Sequence, residues 1–400
     1  CRVQPLRLSS FTMTSALGAG LQPTLAALRD KRSGLRRQRW ETVDLDTCIG
    51  AVDQLDTVTL RADLHAFDCR NNRLAQLALE QDGFSQAVLA AMQGYGSTRI
   101  GVFLGTSTSG ILSSEIAYRH RDPVTGALPA GHDYQHTHNS YSLADFVRRY
   151  FALSGPAHVV STACSSSAKV FGNAQRMISS GLIDAAIVGG VDSLCLTTLY
   201  GFNSLQLISS QPCRPFDAQR DGISMGEGAA FVLVERADQA LPDDILLDGI
   251  GESSDAHHMS SPHPEGLGAR RAMEAALRMA GLRPADIDYI NLHGTSTPSN
   301  DAAEDKGVST LFGARTPCSS TKGHTGHTLG AAGGIEAVIC ALALRHGFAP
   351  AGVGTQELDP RLSCRYLLAN LEQPMRHVLS NSFGFGGSNC SLVFSKVGEQ

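Results

Sequence analysis

The sequence lacks the features that would direct it to a membrane, to nucleic acid or to a disulfide framework. No uninterrupted apolar stretch approaches the roughly 18 residues of a membrane-spanning helix, and no apolar segment follows a basic one near the first residues. A soluble, cytoplasmic protein is the expectation. There is no excess of positive charge: 33 Lys and Arg stand against 38 Asp and Glu, a net charge of −5, so the footprint of a nucleic-acid binder is missing. The cysteines at 1, 48, 69, 164, 195, 213, 318, 340, 364 and 390 contain no C-x-x-C pair, which argues against a zinc knuckle or a redox motif. Charged residues make up only 18% against 42% hydrophobic, a balance that excludes disorder over 400 residues. What the chain does have is glycine, 41 residues without collagen periodicity, which points to tight turns and close backbone approaches.

Short apolar runs alternate with helix-period stretches throughout, the pattern of an α/β protein. Strands are expected over 100–104, 158–161, 185–188, 230–234, 287–292, 366–369, 377–381 and 391–394. Val170, Phe171, Ala174, Met177 and Ile178 recur at helical spacing just after Cys164, and a second helix, nearly free of polar residues, is expected over 331–344. Each of these helices follows a short strand and a turn of small polar residues, HVVSTACSSSAKVFG from His158 and PCSSTKGHTGHTLGAAGG from Pro317. The likeness predicts two related halves, 1–243 carrying a nucleophilic cysteine and 244–400 carrying histidines, joined near ADQALPDD at 237–244. The polar segment 118–141 reads as an excursion from the first half.

Cys164 in STACSSS is the sharpest chemical signal. A thiol at a helix N-terminus feels the helix dipole, so its pKa is expected to fall. Two histidine segments could serve it. NLHGTSTP puts His293 at a strand end, where ligands gather in α/β sheets. STKGHTGHTLGAAGG puts Lys322, His324 and His327 in a glycine-rich loop. The final NSFGFGGSN has no helix after it and so is no dinucleotide fingerprint; its backbone N–H groups suit an oxyanion hole.

Together TACSSS, HGTSTP, K-x-x-T-G-H-x-L-G-A-A-G and FGFGG resemble the elongating β-ketoacyl-acyl-carrier-protein synthases, condensing enzymes of the thiolase superfamily. CRPFDAQRDGISMGEGA from Cys213 extends the likeness to 158–395. The resemblance implies a thiolase-like α/β fold of two related halves in five layers, α-β-α-β-α. It implies that Cys164 takes an acyl chain, with the N–H groups of Cys164 and Phe385 as oxyanion hole and Phe385 as gate. His293 and His327 would stabilise the enolate formed as malonyl carrier loses carbon dioxide, Lys322 and Glu336 would support their loop, and Thr295 and Thr297 would bind pantetheine. It further implies no bound cofactor and no metal. Substrates would arrive on the phosphopantetheine of an acyl carrier protein, in fatty-acid or polyene and polyketide synthesis. The expected assembly is a homodimer, or a heterodimer with a chain-length-factor-like subunit.

Two rival readings are a tunnel-shaping partner subunit and a Cys-His thioester hydrolase. His324 and Asn300 depart from the family pattern. The cluster His132, His136 and His138 reads as a loop at a subunit contact or pocket rim, and residues 106–111 as an acyl-pocket lining. The basic run Lys31, Arg32, Arg36, Arg37 and Arg39, with Arg61, Arg70 and Arg73, is a candidate carrier-docking surface.

Overall fold

A computed structural model of the chain describes residues 4–238 and 240–398. Cys1 lies outside the described residues, as does Gln239 within the expected join. Ten strands carry the fold: β1 (Leu6–Ser15), β2 (Ile100–Gly105), β3 (Ala157–Val160), β4 (Ala185–Asp192), β5 (Gly228–Arg236), β6 (Ile245–Ser254), β7 (Tyr289–Asn291), β8 (Pro317–Ser319), β9 (His377–Gly384) and β10 (Ser388–Lys396). The helices that matter for the site are α1 (Arg70–Leu79), α2 (Ser142–Tyr150), α3 (Ser166–Ser179), α4 (Leu267–Ala280), α5 (Pro298–Phe312) and α6 (Ala332–His346).

The strand order is β3-β2-β4-β5-β1 on one side and β8-β7-β9-β10-β6 on the other. The second order is the first with five added to each label. Pairing senses repeat too: β2 is parallel to β3 and β4, and β7 to β8 and β9, while β5 and β10 run antiparallel to both of their neighbours. The two halves of the sheet pair through β1 and β6, at Leu6 opposite Leu247 and Arg7 opposite Leu246.

Alternation along the strands builds the layers. In β4, Ala186 and Val188 face the central core, while Ala185, Ile187 and Val191 face the core under α1 and α2. In β10, Leu392 and Phe394 point to the center and Val393 to the core beneath α4 and α5. Helices α3 and α6 lie between the sheets and pack on both and on each other. The result is the five-layered α-β-α-β-α arrangement. Gly333 of α6 permits this contact, since a Cβ there would fall 2.7 Å from the Ala168 backbone nitrogen of α3. Residues Leu329–His346 are long and apolar enough to cross a membrane, yet 89% of that window is buried between the sheets.

Most expected strands are present with longer bounds, and the two helices begin at Ser166 and Ala332. Residues 366–369 form only the end of a two-residue strand, Arg365–Tyr366. Strands β1 and β6 were not expected. Their serines, threonines and glycines weaken the apolar signal, although they join the two sheets.

Candidate active site

Cys164 sits in the turn from β3 to α3, and His293 and His327 follow β7 and β8. The turns after β3 and β8 correspond in the repeat, while the His293 turn matches the one after β2; the fold brings the three residues together, with ligand atoms all within 4.8 Å of one another. The turns are strained at their key positions. Ala163 before the thiol has φ 53°, Ser296 after the His293 loop has φ 72°, and Leu329 after His327 has φ 52°. Left-handed non-glycine residues cost about 1–3 kcal/mol each and persist where the surroundings over-determine them.

The hydrogen bonds fix both imidazole tautomers. Lys322 Nζ, which can only donate, faces His293 Nδ1 at 3.4 Å. The Leu329 N–H donates to His327 Nδ1 at 3.1 Å. With Nδ1 accepting on each ring, Nε2 carries the proton. The rings meet edge to face at 5.4 Å between centroids. Burial, with Lys322 adding its charge, holds both histidines well below the usual imidazole range, so both are neutral donors.

Cys164 is only 4% exposed. Burial pushes its thiol up to about 11, against the pull of the Lys322 charge and a hydrogen bond from the Phe385 N–H. This corrects the expectation of a lowered value: removing the thiolate from water outweighs the helix-terminus effect. Lys322 is buried and paired with Glu336 of α6, whose carboxyl burial raises to about 7.

These groups open onto a cleft lined by Cys164, His293, His327, Thr295, Thr297 and Phe385, with Phe202, Leu207 and Ile223 as its apolar wall. The Thr295 and Thr297 hydroxyls are 2.9 Å apart at its side, and the Phe385 ring packs on Phe202. Asn300 lines the cleft, with its amide donating to Asp301. His324 does not line it. Its ring nitrogens face the carbonyls of Arg32 and Ala351, so it braces the loop and does not compete with His327.

Residues 106–111 do not line this cleft either. Thr106, Ser107 and Thr108 wrap the buried Asp192 carboxylate, which also accepts the Gly330 N–H and so ties the first half to the turn after His327. Arg70 is no docking residue. It is buried against Glu227 through two hydrogen bonds, and Arg73 is held by Asp68. His132 and His138 share the Ser114 hydroxyl and His136 bonds Asp133, all outside the cleft lining.

Two anchors were missed from the sequence. Glu304 on α5 accepts the N–H groups of His293 and Gly294 and the Asn381 amide. Asp301 and Glu304, three apart on one helix after the His293 turn, were the available signal. The second anchor is the segment 224–226: Ser224 O accepts from the His327 N–H, and the Gly226 N–H donates back to His327 O. A Cβ on Gly226 would lie 2.2 Å from the Thr325 carbonyl oxygen. Gly226→Ala should therefore displace the His327 loop and destabilise the fold by about 1–3 kcal/mol, measured by urea unfolding; unchanged stability would show that the loop has room to shift.

Comparison with known proteins identifies the family. The profile of the Beta-ketoacyl synthase, N-terminal domain matches residues 9–240, and that of the Beta-ketoacyl synthase, C-terminal domain matches 246–356. The chain belongs to the β-ketoacyl synthase family. It is 39% identical over 266 residues to the mitochondrial 3-oxoacyl-[acyl-carrier-protein] synthase of Arabidopsis thaliana, covering 62% of this chain and 58% of that protein. Against 3-oxoacyl-[acyl-carrier-protein] synthase 2 of Rhizobium meliloti (strain 1021), 42% identity covers 61% of this chain and 62% of the relative. The matched segment thus spans less than two thirds of either relative's length. Identity to 3-oxoacyl-[acyl-carrier-protein] synthase 2 of Staphylococcus aureus (strain COL) is 32%, over 87% of this chain and 91% of that one. Among solved structures, a ketosynthase (ApeO) in complex with its chain length factor (ApeC) from Xenorhabdus doucetiae superposes with a TM-score of 0.91 at 40% identity, covering 98% of both chains.

Proposed function

We propose that the protein is a 3-oxoacyl-carrier synthase, an acyltransferase that forms a carbon–carbon bond. The supporting observation is the pair of neutral Nε2–H donors beside a buried thiol. Cys164 Sγ attacks the carbonyl of a carrier-bound thioester, the Cys164 and Phe385 N–H groups hold the oxyanion, and the departing pantetheine thiolate leaves with the thiol proton. A malonyl thioester then enters along Thr295 and Thr297. Loss of carbon dioxide places negative charge on its thioester oxygen, where the His293 and His327 donors hold the enolate. The enolate carbon attacks acyl-Cys164 and expels the thiolate, giving a β-ketoacyl thioester two carbons longer. Lys322 and Glu336 position the histidines and exchange no proton with substrate.

The chain divides functionally at 1–243 and 244–400 in this reading, works in the cytoplasm and needs no bound cofactor of its own, its substrates riding on carrier phosphopantetheine. The partners are an acyl carrier protein and a second ketosynthase-like chain, a copy of itself or a chain-length-factor-like subunit. β3 pairs with β2 on one side only, which leaves its half-buried outer edge for such a chain. The exposed side chains Lys31, Arg32, Arg36, Arg37 and Arg39 remain the candidate carrier surface, with Arg37 reaching the Ser210 carbonyl near the Leu207 wall. Mass spectrometry after mixing with an acyl-carrier panel and then malonyl carrier tests the reaction. Acylated Cys164 followed by a longer β-keto product is expected; free acid alone would indicate a hydrolase, and acylation without turnover in either assembly would indicate a non-condensing subunit.

A further inference from the structure

Cys164, His293 and His327 have the composition and spacing of a transition-metal site, since one thiol and two imidazoles within 4.8 Å can close on a tetrahedral ion. Their tautomers oppose it. A metal binds the lone pair of Nε2, so the proton now on Nε2 must move to Nδ1, while the thiol proton leaves to solvent. On His293 that relocated proton would point at the Lys322 ammonium, and on His327 at the Leu329 N–H. Each is a donor facing a donor. We propose that Lys322, held by Glu336, has a second role: it keeps zinc-like divalent ions out of a cluster that would otherwise bind them. The strained Leu329 turn does the same for the other ring.

The inference concerns metal affinity alone and stands whether or not the condensation reading holds. Metal-binding histidines normally donate the second ring N–H to an acceptor, and loss of such an outer partner typically changes affinity about 10- to 100-fold. Replacing an adverse partner should act in the opposite direction by a similar factor. Lys322→Met with Glu336→Gln removes the buried pair together, so neither charge is left uncompensated.

Cobalt titration followed by thiolate-to-metal charge-transfer absorption, with zinc competition against a chromophoric chelator, provides the test. The double variant should bind one ion about 10- to 100-fold more tightly than the unmodified protein, with the absorption band lost on adding Cys164→Ser. Lys322→Arg, which keeps a cationic donor, should bind as weakly as the unmodified protein. Equal affinity in the unmodified protein and the double variant overturns the proposal. So does absence of binding by a double variant whose circular dichroism shows it folded, or a band that survives Cys164→Ser.

Discussion

Replacing His293 or His327 by alanine should slow malonyl decarboxylation by about 10²- to 10³-fold, the usual effect of losing one preorganised oxyanion donor, while Cys164 continues to accept an acyl chain. The asymmetry follows from which donors face which oxygen. In the proposed mechanism acyl transfer relies on backbone N–H groups, among them that of Phe385, which already bonds the thiol. Decarboxylation in that mechanism relies on the two Nε2–H groups. Because both address one developing charge, the double variant should lose less than the product of the single losses. Labelled carbon dioxide release and the mass of Cys164 measure the two steps separately. If both steps fell equally, the histidines would be acting in acyl transfer as well.

Glu304→Ala should destabilise the fold by on the order of 3 kcal/mol, since it strips acceptors from two buried backbone N–H groups and the Asn381 amide at once. Glu304 also shapes the pH dependence. Burial raises its carboxyl from 4.5 to about 7. Between those values the folded state holds a proton that the unfolded chain has released, so this group's contribution falls by about 3 kcal/mol as pH rises through that window. Glu336 acts in the same sense. His293 and His327 act oppositely: held neutral in the fold, they make stability rise with pH up to their ordinary value of 6.5. Glu304→Gln keeps one acceptor oxygen and removes one falling contribution. Its stability should climb more steeply than the unmodified protein's between pH 5 and 6.5, read from urea unfolding at a series of pH values. Parallel curves would show that Glu304 keeps its ordinary affinity for protons.

The residues legible in the sequence share a property. Cys164 and His293 each stand in a turn of small polar residues just after an apolar strand, and His327 in a glycine-rich loop before an apolar helix, and these signals are local. Lys322 and Glu336 came through the resemblance, and the structure places them in one buried pair. What stayed hidden depends on tertiary surroundings. Asp192 matters for the backbone N–H groups it receives, which no spacing displays, and the spacing of Glu304 from Asp301 does not say which N–H groups it will receive. The thiol pKa was misjudged because a helix N-terminus can be read from sequence, whereas burial by the opposite half cannot. Arg70 looked like surface charge in a basic stretch, and only the fold brings Glu227 beneath it.

The repeat of the strand order, each label advanced by five, bears on control. In the proposed reaction the nucleophile belongs to one copy of the repeated unit and both neutral hydrogen-bond donors to the other, and α3 and α6 pack against each other between the copies. The proposed chemistry thus needs both duplicated pieces. Parting that helix pair would silence the thiol with every one of its neighbours along the chain left intact.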